Sequence, residues 1–109
     1  MSRTLEAEEQ ALPAVAPVGT VQQVLAALAD PVRLEMVRRL AASDSPIACA
    51  ALYDGINKST ASHHFKTLRE AGLTERVVIG GQTHQRLRAP EVEEALPGVL
   101  SSVVAAAHR

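Results

Sequence analysis

Asn57–Leu73 reads NKSTASHHFKTLREAGL, and the two faces of this stretch decide the fold. Asn57 is a residue type that caps the free N–H groups at a helix start, and Gly72 is one that ends a helix in the left-handed conformation a Cβ disfavours. Between them Ala61, Phe65 and Leu68 recur at i, i+4 and i+7, the spacing of one apolar helix stripe. The opposite face carries Ser59, Ser62, Lys66 and Arg69, while Lys58, Thr60 and His63 crowd the first two turns. A helix that reads B-DNA needs an inward apolar stripe and short donors and cations at its N-terminal end. Small side chains there reach base edges and phosphates without holding the backbone away. A solvated amphipathic helix shows the same inner stripe, so the flanking sequence has to decide.

Toward the N-terminus, Asp54-Gly55-Ile56 makes a turn, and before it Ser45-Pro46 is a cap followed by proline. That signature predicts a short helix with Ile47, Cys49–Ala51 and Leu52. Asp30-Pro31 repeats it and opens a longer helix that buries Leu34, Met36, Val37 and Leu40, with Arg33, Arg38 and Arg39 facing out. Thr20 can cap a first helix whose stripe is Val21, Val24, Leu25 and Leu28. Helix, tight glycine turn and helix with a polar N-terminal face is the helix-turn-helix plan. Residues 1–19 mix acids, alanines and two prolines and are expected to be disordered or loosely docked, leaving residues 20–109 as the domain.

Toward the C-terminus the period changes from helix to strand. Leu73–Ile79 ends in β-branched residues, Gly80-Gly81 can supply both positive-φ positions of a type I′ turn, and Gln82–Arg88 returns. This hairpin carries Arg76, Gln82, Thr83, His84, Gln85, Arg86 and Arg88, a polar and cationic ribbon beside the reading helix, as a wing would be. In the last segment Pro97-Gly98 should interrupt the helix, after which Leu96, Val99, Leu100, Val103 and Val104 form an apolar stripe. The natural cover for it is the same helix, or the Val21–Leu28 helix, of a second copy across a two-fold axis; folding back on its own domain is the alternative.

Composition agrees with a small DNA-binding dimer. Aromatics are 2% of 109 residues, so the core is built from Leu, Val, Ile and Ala, and a second copy would add burial. The formal net charge of −1 argues against a polyanionic partner, but its distribution reverses that: residues 58–88 hold Lys58, Lys66, Arg69, Arg76, Arg86 and Arg88 against two acids. One cysteine cannot form an internal disulfide, and neither a membrane span nor a secretory leader is visible, so a cytoplasmic location is expected.

LADPVRLEMVRRL at 28–40, NKSTASHHFKTLREAGL at 57–73 and RVVIGGQTHQRLR at 76–88 together resemble the signature blocks of the ArsR/SmtB family of bacterial winged-helix transcriptional repressors. The resemblance spans roughly residues 21–100 and implies a mainly α fold with a β-hairpin wing (α+β), a homodimeric winged helix-turn-helix with terminal helices at the interface. It places Lys58, Ser59, Thr60, Ser62, His63 and His64 at the DNA-contacting part of the recognition helix and Gly80–His84, including Gly81, at the wing tip; Lys66, Arg69 and Arg86 join these as candidate DNA contacts. The family's thiolate metal positions fall on Ala48 and Ala50, with Cys49 between them, and its other site finds no matching spacing in Pro90–Arg109. No metal site and no cofactor are therefore expected.

The expected partners are double-stranded operator DNA and a second copy of the chain, with no membrane and with the inducing ligand open. The favoured function is a sequence-specific repressor on an inverted-repeat operator. Two alternatives stand beside it: a winged-helix dimer acting through a protein partner, and a repressor whose redox switch is Cys49, which otherwise reads as a small buried hydrophobe. An enzyme is not expected, since there is no glycine-rich phosphate loop and no His and acid pair accompanies the cysteine.

Overall fold

A computed structural model describes residues 15–108. Helix α1 (Val21–Leu28) starts with a capping box: Thr20 Oγ1 accepts from the Gln23 N–H at 3.2 Å and Gln23 Oε1 accepts from the Thr20 N–H at 2.8 Å. Helix α2 (Pro31–Ser43) starts where Asp30 Oδ1 accepts the N–H groups of Val32 and Arg33, at 2.8 and 3.0 Å, with proline in the first turn. It ends at Asp44 in the left-handed region.

The segment after Ser45-Pro46 corrects the expected short helix. Ile47–Ala48 form strand β1, followed by a single 3-10 turn at Cys49–Ala51. The cause is tertiary: β1 pairs antiparallel with a strand far along the chain, Ile47 opposite Gln85 and Ala48 opposite His84, so the sheet takes the backbone groups a helix would have used. Leu52 is buried as expected and closes the turn against the core.

Helix α3 (Lys58–Glu70) is capped by Asn57, whose Oδ1 accepts the Thr60 N–H at 2.7 Å. Strands β2 (Thr74–Ile79) and β3 (Gln82–Leu87) pair from Thr74 opposite Leu87 to Ile79 opposite Gln82, joined by Gly80 and Gly81 at φ 58° and 78°. The sheet order is β1-β3-β2, so the wing's return strand is central. Helices α4 (Ala89–Ala95) and α5 (Val99–Ala106) are separated at Pro97-Gly98, as the sequence predicts.

The core joins Val24 and Leu28 of α1, Met36, Val37 and Leu40 of α2, and Ala61, Phe65 and Leu68 of α3 to Leu52, Leu73, Val92 and Leu100. Three residues assigned to a dimer interface, Val24, Leu28 and Leu100, therefore have their burial supplied inside one protomer, at 0%, 3% and 4% exposure. Leu96, Val99, Val103 and Val104 are half-buried against the same core, so α5 folds back on its own domain through this side. Val21 and Leu25 remain exposed.

Of the arm expected over residues 1–19, residues 1–14 lie outside the described residues. The described part is tightly seated: the Gly19 N–H donates to Ala71 O at 2.9 Å, and Arg88 Nη1 donates to Ala16 O. A Cβ on Gly72 would sit 2.4 Å from Pro17 O, so the arm crosses the end of α3 in contact with bare backbone.

Candidate nucleic-acid interface

The apolar stripe of α3 is pressed into the core, and this turns Lys58, Ser59, Thr60, Ser62, His63 and Lys66 outward, all exposed. Arg69, three turns from the start, is half-buried. His64 is not on this face. It is 8% exposed, and its Nδ1 lies 3.0 Å from Arg33 Nη1 and 4.0 Å from Asp30 Oδ1. A guanidinium can only donate, so Nδ1 is the acceptor in this contact. Arg33 also donates from Nε to Ala27 O at 2.7 Å. His64 thus fastens α3 to the start of α2.

The Asp30 carboxyl in this cluster feels burial, which alone would raise its pKa. The N–H groups of Arg33 and Val32, with the nearby Arg33 charge, outweigh burial and hold it below the usual value.

In the wing, Gly80, Gly81 and Gln82 are exposed at the tip, and Thr83 and His84 are half-buried, with His84 Nδ1 2.9 Å from Gln82 O. The rest of the expected cationic ribbon is mostly committed elsewhere. Arg86 lies opposite Glu75 across the strands and bonds it directly, then bonds Glu91 at 2.8 Å. Burial opposes its charge, and the two carboxylates more than offset that, raising its pKa. Arg88 is 8% exposed and donates to Gly72 O at 3.1 Å, tying the arm to the end of α3. Gln85 is 1% exposed, with Nε2 donating to Cys49 Sγ at 3.5 Å.

Strand alternation explains the division. Arg76, Thr83 and Gln85 share the sheet face toward α3, whereas Arg86 lies on the other face and lines a cleft of about 730 Å³ with Leu40, Leu100 and His108. Between α3 and the wing runs a second groove, about 440 Å³, lined by Lys58, Ser62, Arg69, Arg76, Gln82 and Thr83. Arg76 is a wing cation that a list of matched wing-tip positions leaves out; the period-2 pattern of β2 is the signal that finds it.

A helix-turn-helix domain family matches residues 28–77. The uncharacterized HTH-type transcriptional regulator YceK of Bacillus subtilis (strain 168) is 39% identical over 83 residues, covering 74% of this chain and 83% of that protein. Among solved structures, a homodimeric winged helix-turn-helix DNA-binding domain from Mycobacterium bovis, described as a possible ArsR-family transcriptional regulator, superposes with a TM-score of 0.61 at 31% identity, over 81% of this chain and 80% of that one. The chain belongs to the ArsR family of winged helix-turn-helix transcriptional regulators. The fold is also that of the repressor BigR from Xylella fastidiosa, with a TM-score of 0.59 at 24% identity over 96% of this chain and 91% of that one.

As an ArsR-family protein, this chain is a DNA-binding transcriptional regulator and not an enzyme. Among the described residues no three His, Cys, Asp or Glu side chains come together in a way that could hold a metal ion, and no helix is long and apolar enough to cross a membrane.

Proposed function

We propose that this regulator is a cytoplasmic, homodimeric repressor that selects an inverted-repeat operator through the first two turns of α3. The observation that carries this reading is the outward face of α3. Ser59, Thr60, Ser62 and His63 are exposed on a helix held from beneath by Ala61, Phe65 and Leu68, at its start by Asn57 and at its flank by His64. Such a helix is presented rigidly, which base readout requires.

Lys58, Lys66, Arg69 and Arg76, with the wing tip at Gly81–His84, supply phosphate contacts and therefore salt-dependent, sequence-blind affinity. Two-fold symmetry would set two such helices ~34 Å apart on one side of the duplex. Val21 and Leu25, exposed one helical turn apart, are the dimer contacts the protomer leaves free, and the related Mycobacterium bovis domain is a homodimer.

The test is substitution. Ser62→Ala and His63→Ala should lose discrimination between operator and random DNA, about 1–3 kcal/mol for each lost base contact. Lys66→Ala should weaken both equally and flatten the salt dependence. Equal losses on both DNAs for all three variants would contradict the division of labour.

A second reading makes Cys49 a redox switch, favoured by its place among the residues lining the groove between α3 and the wing. Identical operator binding by wild type and Cys49→Ala, before and after peroxide, would remove it.

A further inference from the structure

The larger cleft, about 730 Å³, lies on the sheet face away from α3 and takes no part in the DNA-binding reading. No residue of α3 lines it, and neither Val21 nor Leu25 does. Its apolar wall is drawn from four elements: Leu40 of α2, Leu87 of β3, Pro90 of α4, and Leu100 and Val104 of α5. A mostly apolar cleft of this size suits a small organic molecule.

The charged groups around it decide which kind. Asp44 and Glu93 line the cleft, both exposed, and neither makes a salt bridge among the described residues. Glu93 is held in place, its Oε2 accepting the Gly98 N–H at 2.8 Å. The last turns of α2 and α5 both reach the cleft, through Ala41 and Ala105, and neither turn contains a basic residue. The negative ends of two helix dipoles therefore add to the two carboxylates. Against them stand Arg86 and His108. Arg86 is already shared between Glu75 and Glu91, so its charge is more than matched, and His108 is exposed just beyond α5.

We infer that this cleft binds a small lipophilic cation. The apolar body of such a molecule packs on Leu87, Leu100 and Val104, while Asp44, Glu93 and the two helix ends supply the field that favours its positive charge. An anion of the same shape meets two uncompensated carboxylates instead, and this sets the selectivity. The site shares no surface with the outward face of α3, so it stands apart from the operator recognition proposed above.

The experiment follows the methyl resonances of Leu87, Leu100 and Val104 in the full chain. The titrants are tetraphenylphosphonium and tetraphenylborate, alike in shape and opposite in charge, at constant ionic strength and about pH 8, above the ordinary imidazole range. Saturable shifts are expected with the phosphonium and none with the borate. Asp44→Asn and Glu93→Gln should each weaken binding about threefold, the size of an exposed ion pair. Both variants should fold, since asparagine tolerates the left-handed φ at Asp44 and glutamine can still accept the Gly98 N–H. Ala105→Phe, filling the cleft from an exposed position, should abolish binding, and Glu94→Gln, on α4 but outside the cleft, should leave it unchanged. Shifts that never saturate, or that survive Ala105→Phe, would overturn the site. Equal affinity for the borate, or no loss in either carboxylate variant, would overturn the assignment to a cation. A fall in sedimenting mass as the phosphonium binds would make the cleft the seat of a second copy and overturn the small-molecule site. No DNA enters the titration, so this inference and the operator reading fail separately.

Discussion

Gly72 is the residue on which most depends in the least space. Its φ of 80° ends α3, and Pro17 O and the Val18 Cα stand 2.4 and 2.5 Å from where a Cβ would be. Gly72→Ala should therefore cost more than the ~1–2 kcal/mol of a left-handed alanine alone, and a drop in the urea midpoint larger than that strain checks the crowding. The sequence shows the glycine as a helix end, yet the arm that crosses it is invisible there, because the contact joins residues far apart in the chain. His64 and Arg86 show the same limit: the residues that hold them, Arg33 and Glu91, come beside them only in the fold.

Glu35 supplies a pH signature. Hydrogen bonds from Arg38 and then Arg39 hold its carboxyl at about 2, below the ordinary 4.5. Its contribution is fully present above that ordinary value and fades as pH falls toward 2. The side chain is 39% exposed, so screening keeps the contribution under about 1 kcal/mol. Urea unfolding should show Glu35→Gln less stable than wild type at about pH 6, with the gap narrowing as pH falls from the ordinary 4.5 toward about 2.

At the scale of elements, the starts of three helices were readable because caps are local. Thr20, Asp30 and Asn57 each make the hydrogen bonds their residue type announces. Ser45-Pro46 announces a helix equally well, and the sheet overrides it, since β1 gains its partner only when the hairpin folds back. Asn57→Ala should cost about 1 kcal/mol of stability. It should also cost more affinity on operator than on random DNA, since the turn it fixes is the one proposed to read bases. Paired anisotropy titrations on the two duplexes check this, and equal losses would place the cap outside readout.

For the whole molecule, the sequence points to a dimer from an excess of apolar surface, and the fold narrows where that surface is. Of the nine stripe residues the sequence offers to an interface, seven are buried or half-buried within the protomer, and Val21 and Leu25 are those left exposed. Leu25→Glu should give a folded monomer, because Leu25 is 45% exposed within the protomer, and sedimentation with circular dichroism should show lower mass at unchanged helicity. The same variant should lose operator affinity through loss of the paired reading helices.

The central claim, that the exposed face of α3 selects a DNA sequence, is tested most directly by fluorescence anisotropy of the purified protein. The two duplexes would be the DNA upstream of its own gene and a scrambled one, each at two salt concentrations. The expected result is tight binding to the upstream duplex that weakens with salt while preference over the scrambled duplex persists. Equal binding to both duplexes at both salt concentrations would contradict it.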